Sequence, residues 1–399
     1  MITSNYLTKM RLNIKLAYIK SFSLSLYFFM PIWYAFETQF GTPAALGVIY
    51  ALTHLILVIL ELPTGALADL MGRKKTVLLG LVVESLSWIV LSQAKNMSWL
   101  WYGYGINAIG ISLSSGANTA LNYDSLKELG LEKTFSKFSS KTSIIHRIGM
   151  ILATFVGGYI YNYRKNLPYI LFGLAAFFTS IITLFNTEPE IDTEKFNLKN
   201  YLKQTKLGLR ELFKNEYIRD FSIFYVLIGG ITMYFIYFLN LAYATEIGFT
   251  ATQRSWLFSG IFIISEIIIF KLISSKLLLR KRVYLTFPIL MIIGFLPGYW
   301  LTKTLSIVSI FIVQIASSAR FSILDQYANL EFASNYRATP LSTLNMLVSA
   351  VFAAITLIAG KVINQHGPGL IMTSLGVVTI LLVLPITRVL YVKHKHARD

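Results

Sequence analysis

Twelve apolar runs, each close to the ~20 residues that carry an α-helix across a hydrocarbon layer, constrain this chain more than any other feature. They fall at 13–36, 44–69, 75–93, 98–122, 139–162, 167–186, 217–243, 253–275, 283–301, 305–330, 339–362 and 368–391. Inside a bilayer every backbone N–H and C=O must be satisfied within the protein, so each run reads as a helix. Only 14% of the 399 residues are charged and 55% are hydrophobic, whereas about a quarter of a soluble domain is charged. The expected class is an all-α integral membrane protein with twelve transmembrane helices.

A net charge of +17 would suit a nucleic-acid binder, but the placement of the cations does not. They gather in gaps on alternate sides of the runs: Arg73-Lys74-Lys75, then Lys127, Lys133 and Lys137, the segment Lys195 to Arg219, Arg280-Lys281-Arg282, Arg337, and Lys393, Lys395 and Arg398. The opposite gaps hold mainly Lys95, Arg164, Lys165, Arg254 and Lys303. That asymmetry sets orientation, and it predicts a multi-pass protein of the cell membrane with both termini cytoplasmic. There is no cysteine, hence no disulfide and no thiolate metal site. Lys9, Arg11, Lys15 and Lys20 precede a run too long for a signal-peptide core and lead into a first spanning helix.

The one long polar interval, Asn186 to Glu216, divides the chain into a six-helix half (1–186), a linker (187–216) and a second six-helix half (217–399). In the linker, Phe196, Leu198, Tyr201, Leu202, Leu209, Leu212 and Phe213 among lysines read as an amphipathic helix on the inner membrane surface or as a solvated connection. The halves resemble one another at an offset a little over two hundred. Ser114-Ser115-Gly116 recurs as Ser317-Ser318-Ala319, and Gly72-Arg73-Lys74-Lys75 as Leu279-Arg280-Lys281-Arg282. The segment from Ala120 to Leu126 recurs from Ile323 to Leu330 with one residue inserted. Repeated halves of this kind are a feature of secondary transporters.

Between the second and third runs lies Gly65-Ala-Leu-Ala-Asp69-Leu-Met-Gly72-Arg73-Lys74-Lys75. Its spacing, G-x-L-A-D-x-x-G-R-K, resembles the signature loop between helices 2 and 3 of the major facilitator superfamily, with Leu70 where the family carries Arg or Lys. Glu61-Leu-Pro-Thr-Gly65 resembles a bacterial subgroup with E-x-P-T-G at that place, and Ala120-Leu-x-Tyr-Asp-Ser-Leu-Lys127 and Arg337-Ala-Thr-x-Leu-Ser342 resemble that subgroup's loops after helices 4 and 10. The resemblance implies the major facilitator fold, two six-helix halves rocking about a central cavity. It also implies a conformational latch made by Asp69, Arg73 and Asp124, with Gly65 allowing close helix approach and Gly72 the turn. Gly149-Met-Ile-Leu-Ala153-Thr154-Phe-Val-Gly157-Gly158 resembles the helix 5 motif of drug–proton antiporters, keeping its final glycine pair but carrying Thr154 in place of proline.

Ionisable groups inside spanning helices are costly and face a cavity or a partner. His54, Glu61, His146 and Asp325 are the candidates for proton coupling, Glu61 having a structural hydrogen-bonded role as its alternative. The candidate substrate cavity collects Tyr27, Tyr34 and Glu37 from helix 1, Asn107 and Asn118 from helix 4, Arg147 from helix 5, Tyr237 and Asn240 from helix 7, and Gln314 and Arg320 from helix 10. Such polar stripes serve either substrate contact or helix–helix hydrogen bonding. No nucleophile motif, metal cluster or phosphate loop is apparent, so neither enzyme activity nor a cofactor is expected. The expected function is movement of a small organic solute by alternating access, as proton-coupled export of multidrug type or, alternatively, proton-coupled uptake of an anionic or neutral metabolite, with a non-transporting membrane protein as the remote alternative. A monomer in the lipid bilayer is the expected state, with no nucleic acid as partner.

Overall fold

The computed structural model describes residues 4–190, 206–274, 280–332 and 338–392; at 61–63, 65, 66, 69, 273, 274, 280, 281, 321, 322, 338 and 339 it describes the backbone alone. Every regular element among them is helical. In the first half the rods are α1 (Ser4–Ser23), α2 (Pro43–Met71), α3 (Arg73–Ser92), α4 (Met97–Glu128), α5 (Phe135–Tyr163) and α6 (Leu167–Leu184). In the second they are α7 (Glu216–Glu246), α8 (Ala251–Ser274), α9 (Arg280–Phe295), α10 (Lys303–Ala319, continuing to Glu331), α11 (Ala338–His366) and α12 (Pro368–Val392). Among the described residues nine rods are long and apolar enough to cross a membrane. The rods that fall short are α1, broken after Ser23; α4, rich in serine and asparagine; and α10, interrupted after 17 residues.

The expected helix over 13–36 is interrupted. Its chain leaves α-helical geometry at 24–32 and resumes as a short helix, Trp33–Glu37. Irregular backbone at membrane depth is tolerated only where protein covers it, and no residue from 24 to 32 is exposed. Its backbone groups are met locally (Tyr27 N–H to Ser25 O, 2.8 Å; Met30 N–H to Tyr27 O, 3.0 Å) and by Arg254 Nε, which donates to the Pro31 carbonyl at 2.8 Å. Phe29 stacks on Trp88 with ring centroids 4.3 Å apart and on Tyr169 at 5.5 Å, so aromatic packing holds the break in place. Ser23, Tyr27, Met30, Tyr34 and Glu37 therefore do not form one helical face.

The chain divides into two compact units. Unit 1 comprises 1–41, 53–198 and 251–259; unit 2 comprises 42–52, 199–250 and 260–399. In unit 1, α3 packs on both α4 and α6. The α3–α4 crossing is backbone against backbone: a Cβ at Gly80 would lie 2.7 Å from Ser114 N, and one at Gly110 would lie 2.6 Å from Glu84 N. Small residues at a crossing allow this approach where apolar solvent supplies no drive for helix association. In unit 2, α7 packs on α11 and α9 on α10 and α12. Asn215 caps α7 through its side-chain oxygen, which accepts from Ile218 N–H at 2.8 Å. Three π turns, Phe235–Leu239, Arg320–Leu324 and Thr379–Val383, interrupt α7, α10 and α12 without ending them.

Candidate functional site

A cavity of about 370 Å³ lies within unit 1, inside the range of small-molecule sites, and is walled by α1, α3, α4 and α5. Leu24, Tyr27, Val77, Leu81, Ile111, Phe135 and Phe138 make its apolar wall; Lys20, Glu84, Ser114, Asn118, Asn122 and His146 are among its polar groups. The α3–α4 glycine crossing fixes Glu84 and Ser114 on opposite sides of one contact. Tyr27 sets its ring against Phe172 at 5.0 Å and edge-on to His146 at 5.5 Å.

Lys20, placed by the sequence reading among the cations ahead of the first spanning run, is 2% exposed, and its ammonium donates to Asn118 Oδ1 and Asn186 Oδ1, both at 3.0 Å. The available signal was its position well inside the first apolar run. Asn186 is held in turn by Asn13, whose Oδ1 accepts from Asn186 Nδ2 at 3.1 Å and from Thr187 N–H at 2.9 Å. One helical turn beyond Asn118 on α4, the Asn122 side-chain oxygen is buried and accepts no hydrogen bond among the described residues.

At the α2–α3 turn, Gly72 has φ +91°, a left-handed conformation that disfavours any side chain. Arg73 forms an ion pair with Asp124, whose side chain is 3% exposed. The Glu188 carboxylate accepts from Arg73 N–H at 2.6 Å and Lys74 N–H at 2.7 Å, meeting two of the orphan donors at the positive end of α3. Nothing in the sequence pattern marks Glu188, because the pairing spans more than a hundred residues. Glu188→Ala is expected to cost about 1–2 kcal/mol, as loss of a helix cap does, measured as a lowered unfolding midpoint of the purified chain.

In unit 2, Tyr225 donates to Asp325 Oδ1 at 2.6 Å, and the Arg320 guanidinium lies 5.0 Å from the Tyr225 ring centroid. Arg320 is itself buried in the π turn of α10, at 3% exposure. These groups come from α7 and α10.

The family model for the Major Facilitator Superfamily matches residues 21–265, more than half of the chain. The chain belongs to the major facilitator superfamily. Among curated relatives, an uncharacterized transporter of Rickettsia bellii (strain RML369-C) is 27% identical over 156 residues, 38% of this chain and 37% of that protein. Multidrug resistance protein 2 of Bacillus subtilis (strain 168) is 22% identical over 43% of this chain and 42% of its own length. Multidrug resistance protein 1 of the same strain is 25% identical over 53% and 51%. The chain thus spans about half or less of the length of the curated relatives it matches. A mutant of the nucleoside transporter NupG superposes with a TM-score of 0.77 at 16% identity, over 94% of this chain and 99% of that one. A bacterial homologue of the human lysosomal transporter Spinster, inward-facing and unoccupied, gives 0.70 at 15% identity over 98% and 93%. At these identities the likeness is one of fold: the twelve-helix, multi-pass membrane architecture of a superfamily of small-molecule transporters.

Of the residues singled out from sequence, the unit 1 cavity brings together Tyr27, Asn118 and His146. Glu37 lies apart, fully buried, its Oε1 accepting from Tyr104 OH at 2.6 Å and Tyr169 OH at 2.7 Å. Tyr34 is buried against Trp33, and Asn107 donates to Ser87 Oγ at 3.1 Å across the α3–α4 contact. Arg147 on α5 and His54 on α2 are half-buried and do not line that cavity. In unit 2, Asn240 is buried beyond the π turn of α7, while Tyr237 is 44% exposed. Gln314 is buried and donates to Ser318 Oγ at 3.0 Å. The side chains of Glu61, Gly65, Asp69 and Phe321 lie outside the described residues, as do Arg337, Lys393, Lys395, Arg398 and the linker from 191 to 205.

Proposed function

We propose that the chain exports amphipathic organic solutes of drug type, by alternating access and in exchange for protons. The observation that carries this reading is the unit 1 cavity, whose lining joins aliphatic and aromatic side chains to a larger set of serines, threonines and asparagines with Lys20, Glu84 and His146, and so suits a solute with both apolar and polar parts. The two Bacillus multidrug resistance proteins, matched over part of their length, support the same substrate class. Protonatable groups accompany the cavity, with Glu84 and His146 on its wall, and Asp325 is hydrogen-bonded to Tyr225 in unit 2. The turn around Gly72, with Arg73 and Asp124 and the neighbouring Gly65 and Asp69, is the proposed two-state latch. Proton-coupled uptake of an anionic or neutral metabolite is the second reading, favoured by one feature: the cavity's buried cation, Lys20.

Proteoliposomes under a pH gradient, challenged with organic cations, anions and neutral solutes, test both. Export predicts that an outward-directed solute movement dissipates an inward proton gradient. Co-movement of solute and proton in one direction would replace export by uptake, and no flux with any solute would count against both. In the same assay Asp325→Asn is expected to lower coupled flux about tenfold or more, the effect of removing ~1.4 kcal/mol of proton-linked bias between two states. Unchanged coupling in that variant would remove Asp325 from the proton path.

A further inference from the structure

An ammonium withdrawn from water loses several kcal/mol of hydration, which an opposite charge or a full set of acceptors must offset. Lys20 has neither in full. Its two hydrogen bonds go to uncharged amide oxygens, of Asn118 and Asn186, and among the described residues no carboxylate comes within ion-pair distance. Glu84, the one acid on the cavity wall, makes no ion pair with it. Three N–H groups on the ammonium and two acceptors leave one proton for something else. The network is rigid rather than adaptable, since Asn13 fixes Asn186 from behind and Asn13 Nδ2 also donates to Ser125 Oγ at 2.9 Å and to the Thr187 carbonyl at 2.8 Å. Lys20 and Asn118 line the cavity, and so does Asn122, whose buried oxygen lacks a donor among the described residues. Asn118 and Asn122 are four apart on α4, so their Cβ atoms are about 6 Å apart on one face. A cation with a spare donor, bonded to Asn118, and an acceptor with a spare lone pair one helical turn beyond Asn118 thus line one cavity with Leu24, Val77 and Leu81.

We infer that this corner of the cavity is a headgroup subsite for an amphiphile bearing an acidic group, a carboxylate or a phosphate monoester, on an apolar body. The acid takes the third ammonium proton of Lys20, and a hydroxyl or amide N–H of the solute donates to Asn122. The inference deepens the transporter reading by naming the chemistry of its solute; binding itself is independent of the direction and coupling of transport.

The test is equilibrium dialysis of the purified full chain in lipid nanodiscs against four probes that share one naphthalene body: naphthylacetate, naphthyl phosphate, the neutral naphthylacetamide and the cationic naphthylmethylammonium. At least one anion is expected to bind about tenfold or more tightly than the amide, as a charge-assisted hydrogen bond provides; which anion binds better distinguishes carboxylate from phosphate. Lys20→Gln is expected to erase that advantage, and Lys20→Arg to keep it. Equal binding of anion and amide, preference for the cation, no saturable binding of either anion, or an anion advantage that survives Lys20→Gln would each overturn the subsite. Should Lys20→Gln lose the amide as well, Lys20→Arg decides: retained anion preference supports the site, and its loss with amide binding intact overturns it. Failure of export in proteoliposomes with the anion preference intact removes the export reading alone; the reverse pattern removes the subsite alone.

Discussion

Asp124→Ala is expected to destabilise the purified chain by about 3–5 kcal/mol, the range for removing one partner of a buried ion pair, and to abolish solute-driven flux. The Asp124 side chain is 3% exposed and the paired Arg73 side chain 11%, so the arginine left behind cannot recover water in place of the carboxylate. The Arg73 guanidinium also donates to the Ala120 carbonyl at 3.4 Å, a long and uncharged bond. Chemical or thermal unfolding of the single variants and of Arg73→Ala with Asp124→Ala checks this. The double variant should be less destabilised than the sum of the singles, as expected of two groups that interact directly. Strict additivity would show that the pair is not an energetic unit.

Gly110→Val is the second large effect, with failure to accumulate as a monodisperse protein as its expected readout. Overpacking a core costs about 1–3 kcal/mol where side chains can move aside. Here the added carbon would lie 2.6 Å from Glu84 N and 2.9 Å from Glu84 Cα, which are backbone atoms inside a helix and have nowhere to go. Gly80 faces the same crossing from α3, where an added carbon would lie 2.8 Å from the Gly110 carbonyl oxygen, so separating the helices there would also displace Glu84 and Ser114 from the cavity wall. Gly105→Ala on the same helix is the control: nothing lies within 4 Å of its added carbon, and it should be neutral or slightly stabilising. Normal yield and stability of Gly110→Val would mean that the crossing yields more readily than its geometry implies.

The spanning rods were legible in the sequence because each must close its own backbone hydrogen bonds in a continuous apolar run, so composition alone announces them. The break at 24–32 was not, since its residues are as apolar as a helix and only their burial against Trp88, Tyr169 and Phe172 permits the irregular path. Arg73 and Asp124 were brought together by resemblance, as no local spacing relates them. Lys20 was visible only as a cation ahead of the first spanning run, because its depth is decided by α4 and the segment after α6, far away in sequence. Glu188 gave no signal, because a helix cap donated from 115 residues away follows no local pattern.

A π turn takes up one residue more than an α turn, so everything beyond Arg320–Leu324 on α10 is rotated by about 100° from where an uninterrupted helix would carry it. Its similar stretch on α4, an unbroken helix of 32 residues, has no such rotation. Ser114 to Ala120 and Ser317 to Ile323 keep a single offset across the turn, so the residue inserted before Leu330 lies beyond it. Asp124 on α4 then meets Arg73, while Asp325 on α10 meets Tyr225. A π turn, harmless to the helix as a rod, is enough to give two similar stretches two azimuths.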